Sequence, residues 1–192
     1  MIWLIRHGET AWSLSRQHTG STDIPLTEAG LDKASLLKQR LAKIPFSLVL
    51  TSPLQRARQT CEGAGFGARA IVDANLREWD YGEFEGRTTA EIRQSIPGWD
   101  VWTNPITGGE SVAEVGSRAD RVLARVASST GDVALFGHAH ILRILAARWL
   151  GLPADSGRFF ALETASVSAL GKERKTNVIH LWNDVHHLRV WS

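Results

Sequence analysis

The sequence predicts an α/β fold, a three-layer sandwich in which helices cover both faces of a mostly parallel central sheet with an antiparallel edge strand. Three observations carry that prediction. Strand-like apolar runs alternate along the chain with stretches whose apolar residues recur every three or four positions, the order of βαβ units. The runs "IWLI" (2 to 5) and "DVALFG" (132 to 137) are continuous, as strands buried on both faces are. The segments "TASVSALG" and "NVIHLWND" alternate or run apolar and read as a terminal antiparallel hairpin, with "GKERKTN" (171 to 177) as its loop. At 192 residues and 43% hydrophobic content, one domain over 1–192 is expected.

The elements follow in order. After the first strand, Gly8 permits a sharp turn. "PLTEAGLDKASLLKQRLAKI" (25 to 44) has a threonine at a plausible N-cap and Leu31, Leu37 and Leu41 among polar residues, which predicts an amphipathic helix. "FSLVLTS" (46 to 52) reads as a strand, and "SPLQRARQT" (52 to 60) as a helix with Ser52 at the N-cap and Pro53 in the first helical position. Val112, Val115, Ala119, Val122 and Val126 mark one buried stripe of a later helix, for which "GGES" (108 to 111) supplies a cap. "AHILRILAARWL" (139 to 150) is a helix closing on Gly151.

Composition excludes several classes. Lys and Arg number 22 against 20 acidic residues, a net charge of +2, with no basic face for nucleic acid. The apolar start ends at Arg6, far short of a signal h-region or membrane span, so neither a membrane nor a nucleic acid is an expected partner and a soluble cytoplasmic protein is. The one cysteine, Cys61, rules out an internal disulfide and reads as packing. Of eight tryptophans, Trp12 and Trp79 lie beside the motifs below and could wall a pocket, whereas Trp99, Trp102, Trp182 and Trp191 read as core or edge packing. The oligomeric state stays open, a homodimer included.

In a sheet of this type, ligands bind at the C-terminal ends of the strands. Arg6, His7, Arg56 and His138 would converge there. Two arginines and two histidines suit a phosphoryl group, because guanidinium forks match phosphate oxygens and stay charged. Helix N-termini after Ser52 and His138 would add N–H donors. Arg56 and Arg58, two positions apart on a helix, point about 200° apart, so only one can enter the site.

"RHGET", "SPLQRARQT", "LREWDYGEFEG" and "GHAH", in that order, resemble the histidine phosphatase superfamily with its phosphoglycerate mutase-like fold. "HTGSTDIPLTEAG" and "GHAHILRILAARWLGL" further resemble the broad-specificity acid phosphatase and sedoheptulose-bisphosphatase-like subgroup. The resemblance implies that His7 is the nucleophile, Arg6 and Arg56 bind phosphate, His138 is the second histidine and Glu78 the general acid. Thr19 and Gly20 match positions that touch substrate. Ser13, Tyr81, Ala139 and His140 are further substrate-facing candidates beside the same motifs. Ser13 departs from the mutases, which carry an asparagine there.

The chemistry is consistent with these residue types. A nucleophilic histidine must be neutral, with one ring nitrogen held by a hydrogen bond to fix the tautomer. His138 works better as a cation beside the phosphoryl oxygens. Charge in phosphoryl transfer spreads over three oxygens, so fixed cations supply most of the stabilisation and no metal or other cofactor is required. In an extended "REWDYG", Glu78 and Asp80 share a face, and either could be the acid; Asp80 is otherwise a turn residue. "HAH" could also pair metal ligands, yet no carboxylate or cysteine cluster completes a site, and His140 is expected to line the pocket or pack beneath it. Glu110 and Ser111 are candidate pocket contacts, and His186 and His187 read as solvated.

The expected function is therefore a metal-independent phosphomonoesterase acting on small phosphorylated metabolites. A cofactor-dependent phosphoglycerate mutase is the alternative. Those relatives carry an extra basic segment, whereas "RTTAEIRQSIPGWDVWTNPITGGES" has only Arg87 and Arg93. A non-catalytic phospholigand-binding protein is a third reading, which the presence of every expected catalytic residue disfavours.

Overall fold

In a computed structural model that describes residues 1–188, the first apolar run forms β1 (Ile2–Arg6) inside a six-stranded sheet. Ile2 and Leu4 enter one apolar core, Trp3 and Ile5 the other, on opposite faces of the strand. With both faces covered there is no polar side, and the run is continuous for that reason.

The short helix α1 (Ala11–Ser15) precedes α2 (Glu28–Leu41), β2 (Phe46–Thr51) and α3 (Gln55–Gly63). Then come β3 (Ile71–Val72), α4 (Thr89–Ser95), α5 (Val112–Val126), β4 (Asp132–Gly137) and α6 (Ala139–Trp149). The hairpin of β5 (Val167–Glu173) and β6 (Thr176–Asp184) completes the order β3-β2-β4-β1-β5-β6. β3, β2, β4 and β1 pair in parallel, while β5 pairs antiparallel with both β1 and β6. Leu37 and Leu41 of α2 and Cys61 of α3 pack on the Trp3 face; Ile92 of α4, Val115 and Val122 of α5 and Ile141 and Leu145 of α6 pack on the other. No helix among the described residues is long and apolar enough to cross a membrane.

Several expectations need correction. β3 adds a strand that the sequence did not predict, since two residues are too few to show a period. In α2 the buried face is Gly30, Ala34, Leu37 and Leu41; Leu31 lies one position off it and is exposed. Thr27 does cap α2, accepting from the Gly30 N–H. Ser52 is not an N-cap: α3 starts at Gln55, whose N–H is met by Asp23 Oδ1 at 2.7 Å. Most of "GKERKTN" is strand, since Glu173 pairs with Thr176 and only Arg174 and Lys175 turn. His187 is half-buried against the Ala165 carbonyl at 3.0 Å rather than solvated. Trp99 and Trp102 are buried and Trp182 packs on Phe160, while Trp191 lies outside the described residues.

Candidate active site

β1 and β4 end side by side, with Arg6 opposite Gly137, and the His7 N–H continues the ladder to the Gly137 carbonyl at 2.9 Å. The chain leaves the sheet here, so the side chains just beyond the strands face a cavity of about 260 Å³. Arg6, His7, Ser13, Thr19, Glu78, Tyr81, Ala139 and His140 line it, joined by Thr10, Trp12, Arg16, Gln17 and His18.

His7 is fixed in one tautomer. Its Nδ1 lies 2.7 Å from the Gly8 carbonyl, which can only accept, so Nδ1 carries the proton and Nε2 keeps its lone pair. Burial, with Arg6 and Arg56 nearby, holds its pKa well below the usual 6.5. The Gly8 N–H is itself tied to Thr60 Oγ1 at 2.9 Å, and a Cβ at Gly8 would meet the Gly30 carbonyl oxygen at 2.7 Å. The turn holding the imidazole is thus packed against α2 and α3.

The two arginines are deployed differently. Arg6 lines the cavity; one Nη donates to the Leu162 carbonyl, while its buried Nε–H has no acceptor among the described residues. A guanidinium at a cavity wall is suited to an anionic ligand. Arg56 is wholly buried and outside the cavity lining. Its Nε donates to His138 Nδ1 at 3.1 Å, and its Nη groups donate to the carbonyls of Thr19, Gly20 and Thr22. Four of its five N–H groups are thus engaged, and it pins a loop instead of presenting a fork to phosphate. Arg58 is exposed, so the helical geometry did separate the pair.

His138 also departs from expectation. It accepts from Arg56 at Nδ1, so its proton sits on Nε2, 2.8 Å from Ser52 Oγ. Desolvation and the adjacent Arg56 push its pKa well below the ordinary value, so the ring is neutral and not the expected cation. Its ring centroid lies 5.1 Å from that of His7.

Glu78 lines the cavity, whereas Asp80 does not. Glu78 Oε1 accepts from the backbone N–H groups of Trp79 and Ile141, and Oε2 from that of His140 at 3.1 Å. The first turn of α6 therefore binds this carboxylate, and the expected N–H donors after Ser52 and His138 go to Asp23 and Glu78. Asp80 Oδ1 accepts from the Gly82 N–H, which is the turn role. Behind Glu78, Arg118 forks onto both Glu110 oxygens at 2.7 Å and donates to the carbonyls of Asn75, Arg77 and Glu78. Glu110 braces the acid-bearing segment and Ser111 caps α5; neither lines the cavity.

Gly20 likewise stays outside the lining. Its N–H goes to Glu85 Oε1 at 2.6 Å, and a Cβ there would meet the Trp79 carbonyl oxygen at 2.2 Å. The glycine is required for close packing rather than for touching a ligand. Glu85, which also accepts from Ser21 and Thr22, holds this loop from one side as Arg56 does from the other. Sequence reasoning missed Glu85, which nothing in "GEFEG" distinguishes from a solvated acid. It also missed Arg118, for which a signal existed: position 118 falls between Val115 and Val122 on the apolar stripe of α5. Ser13 lines the cavity, but its hydroxyl closes the Thr10 capping box of α1.

The buried Tyr81 and the partly buried His140 form a pair in which Tyr81 Oη contacts His140 Nδ1. Trp79, Tyr81 and Trp102 present their rings to His140 at 5.0 to 5.8 Å. Among the described residues no group of three or more His, Cys, Asp or Glu is disposed to hold a metal ion. Both His138 nitrogens are engaged, so "HAH" offers no ligand pair as it stands.

Comparison with known proteins bears on family and fold. Residues 2–185 match branch 1 of the histidine phosphatase superfamily. An acid phosphatase of Mycobacterium tuberculosis is 42% identical over 90% of this chain and 86% of its own. A sedoheptulose 1,7-bisphosphatase of Saccharomyces cerevisiae is 33% identical over 78% of this chain and 67% of its own. A probable phosphoglycerate mutase of Cronobacter sakazakii is 33% identical over 97% and 94%. The solved structure of an open-reading-frame product of Mycobacterium tuberculosis superposes with a TM-score of 0.90 at 40% identity, covering 95% of this chain and 96% of the other.

Proposed function

The chain belongs to the histidine phosphatase superfamily, and from that membership we propose a metal-independent phosphomonoesterase that hydrolyses small phosphorylated metabolites through a phosphohistidine on His7. One observation carries the reading. A neutral imidazole, its Nδ1–H held by the Gly8 carbonyl, keeps a bare Nε2 at a cavity that Arg6 and Glu78 also line.

The His7 Nε2 lone pair attacks phosphorus. The P–O ester bond breaks, its electron pair leaves with the alkoxide, and a proton from Glu78 makes that group an alcohol. Glu78 Oε2 accepts one backbone N–H to the two at Oε1, so Oε2 is the oxygen with room for that proton. Water then attacks the phosphohistidine, gives its proton to Glu78 and releases phosphate with His7 restored. Arg6 supplies the fixed positive charge at the phosphoryl oxygens. Arg56 and His138 act one step back, holding the 19–22 loop and the floor beside His7.

The mutase alternative is less supported. Neither Arg87, over the Phe84 ring, nor Arg93, bonded to the Trp99 carbonyl, lines the cavity. The buried, free Cys61 fits a reducing, cytoplasmic setting.

The test compares alkyl with aryl phosphates after exhaustive chelation. Activity should survive chelation, and Glu78→Gln should slow alkyl esters far more than aryl esters, whose leaving groups need little protonation. Loss of activity restored by one divalent metal would overturn the metal-independent reading; an equal penalty on both esters would remove Glu78 from the acid role. Efficient interconversion of phosphoglycerates with slow hydrolysis would favour the mutase.

A further inference from the structure

We propose that His140, locked by Tyr81 as the Nε2–H tautomer, reads an oxygen on the leaving alcohol and so discriminates hydroxylated from plain alkyl phosphate esters. The proposal rests on the phosphatase reading and deepens it by naming a specificity-determining residue.

Tyr81 is buried, and its hydroxyl has one partner among the described residues, His140 Nδ1. If Nδ1 carried the proton, the buried Tyr81 O–H would have no acceptor, which native structures rarely tolerate. The phenol therefore donates to Nδ1. Glu78 Oε2, at 3.9 Å from Nδ1, is beyond hydrogen-bond range and does not compete for that position. Burial raises the Tyr81 pKa well above 10 and, with Arg143, His18 and Arg6 nearby, lowers that of His140 well below 6.5, so both partners are neutral.

One neutral tautomer remains, with its proton on Nε2. The His140 ring makes its one side-chain hydrogen bond among the described residues through Nδ1, which leaves Nε2 unengaged, and His140 lines the cavity. The His140 backbone N–H holds Glu78 Oε2, so the donor sits beside the carboxyl that protonates the leaving oxygen. A single N–H donor, set among Trp79, Tyr81 and Trp102, suits a hydroxyl or ether oxygen on the alcohol side of the ester. His140 is specificity-determining, and Tyr81 is a positioning residue that acts through it.

The test uses glycerol 3-phosphate and n-propyl phosphate, matched primary esters that differ in the hydroxyls available to an N–H donor. Wild type should favour the glycerol ester in kcat/KM. His140→Ala should lower the ratio of the two kcat/KM values about tenfold, as expected for one lost hydrogen bond, and His140→Gln, which keeps a donor, should restore much of it. The backbone N–H that holds Glu78 survives both substitutions. Nitrogen-15 spectra of the imidazoles should show His140 protonated at Nε2 in wild type and a loss of that single tautomer in Tyr81→Phe, a change that a packing role would not produce. An unchanged ratio in His140→Ala, or a proton found on Nδ1 in wild type, would overturn the proposal. Failure of wild type to hydrolyse either ester would sink the phosphatase reading and this one with it.

Discussion

Arg118→Met removes a cation whose side chain is 6% exposed, while keeping an apolar stem of similar length on α5. Arg118 satisfies both oxygens of Glu110 and three carbonyls in the 75–78 segment. Removing one partner from a buried ion pair costs about 3–5 kcal/mol. A small cavity lined by Arg77, Glu78, Asp80 and Glu110 lets water reach part of this site, which places the loss near the lower end, about 3 kcal/mol. For a domain of this size that is a drop of about 6–12 °C in Tm. The freed segment carries Glu78, so turnover of alkyl phosphates should fall about tenfold or more while aryl phosphates lose less. Thermal unfolding by circular dichroism, with kcat on both ester classes, measures the two effects. A Tm within about 2 °C of wild type, or an equal loss on both esters, would refute the idea that this pair positions the acid.

Arg56→Ala should lose stability and kcat/KM together, because it releases the Thr19, Gly20 and Thr22 carbonyls and His138 at once, while Arg58→Ala, at an exposed position, should change unfolding free energy by less than about 0.5 kcal/mol; urea titrations and steady-state kinetics separate them. Stability should also depend on pH through His7, His138 and His140, whose folded-state pKa values all lie well below 6.5. The unfolded chain binds more protons in that window, so their contribution is fully present above pH 6.5 and is lost as pH falls, at up to about 1.4 kcal/mol per unit for each histidine. Denaturant unfolding at a series of pH values should show a folding free energy that declines below pH 6.5; a rise on acidification would contradict it.

Much of the site was legible because the residues that carry chemistry sit where apolar runs stop. His7 follows "IWLIR" and His138 follows "DVALFG", so strand ends alone predict that they meet, and their ring centroids lie 5.1 Å apart. The helical offset between Arg56 and Arg58 was readable too. What Arg56 and His138 do was not, because it depends on which acceptors the 19–22 loop brings to them. A guanidinium fork meets carbonyls as readily as phosphate, and a histidine accepting from arginine cannot be the cation that its neighbours suggested. Gly20 read as a contact because the resemblance put it at a substrate-touching position; its close approach here is to Glu85 and Trp79. The long-range bonds from Arg118 to the 75–78 segment left only an arginine on an apolar stripe as their trace, and the two-residue β3 left none.

The central claim is that phosphorus is bonded to His7 during turnover, and trapping that bond tests it most directly. Wild-type enzyme mixed with phosphorus-32-labelled ester and quenched within one turnover should carry label that is stable to base and released by acid, and peptide mapping should place it on His7. His7→Ala should fold as wild type does and take up none. A burst of product with no labelled protein, label on another residue, or near-normal turnover by His7→Ala would contradict the account.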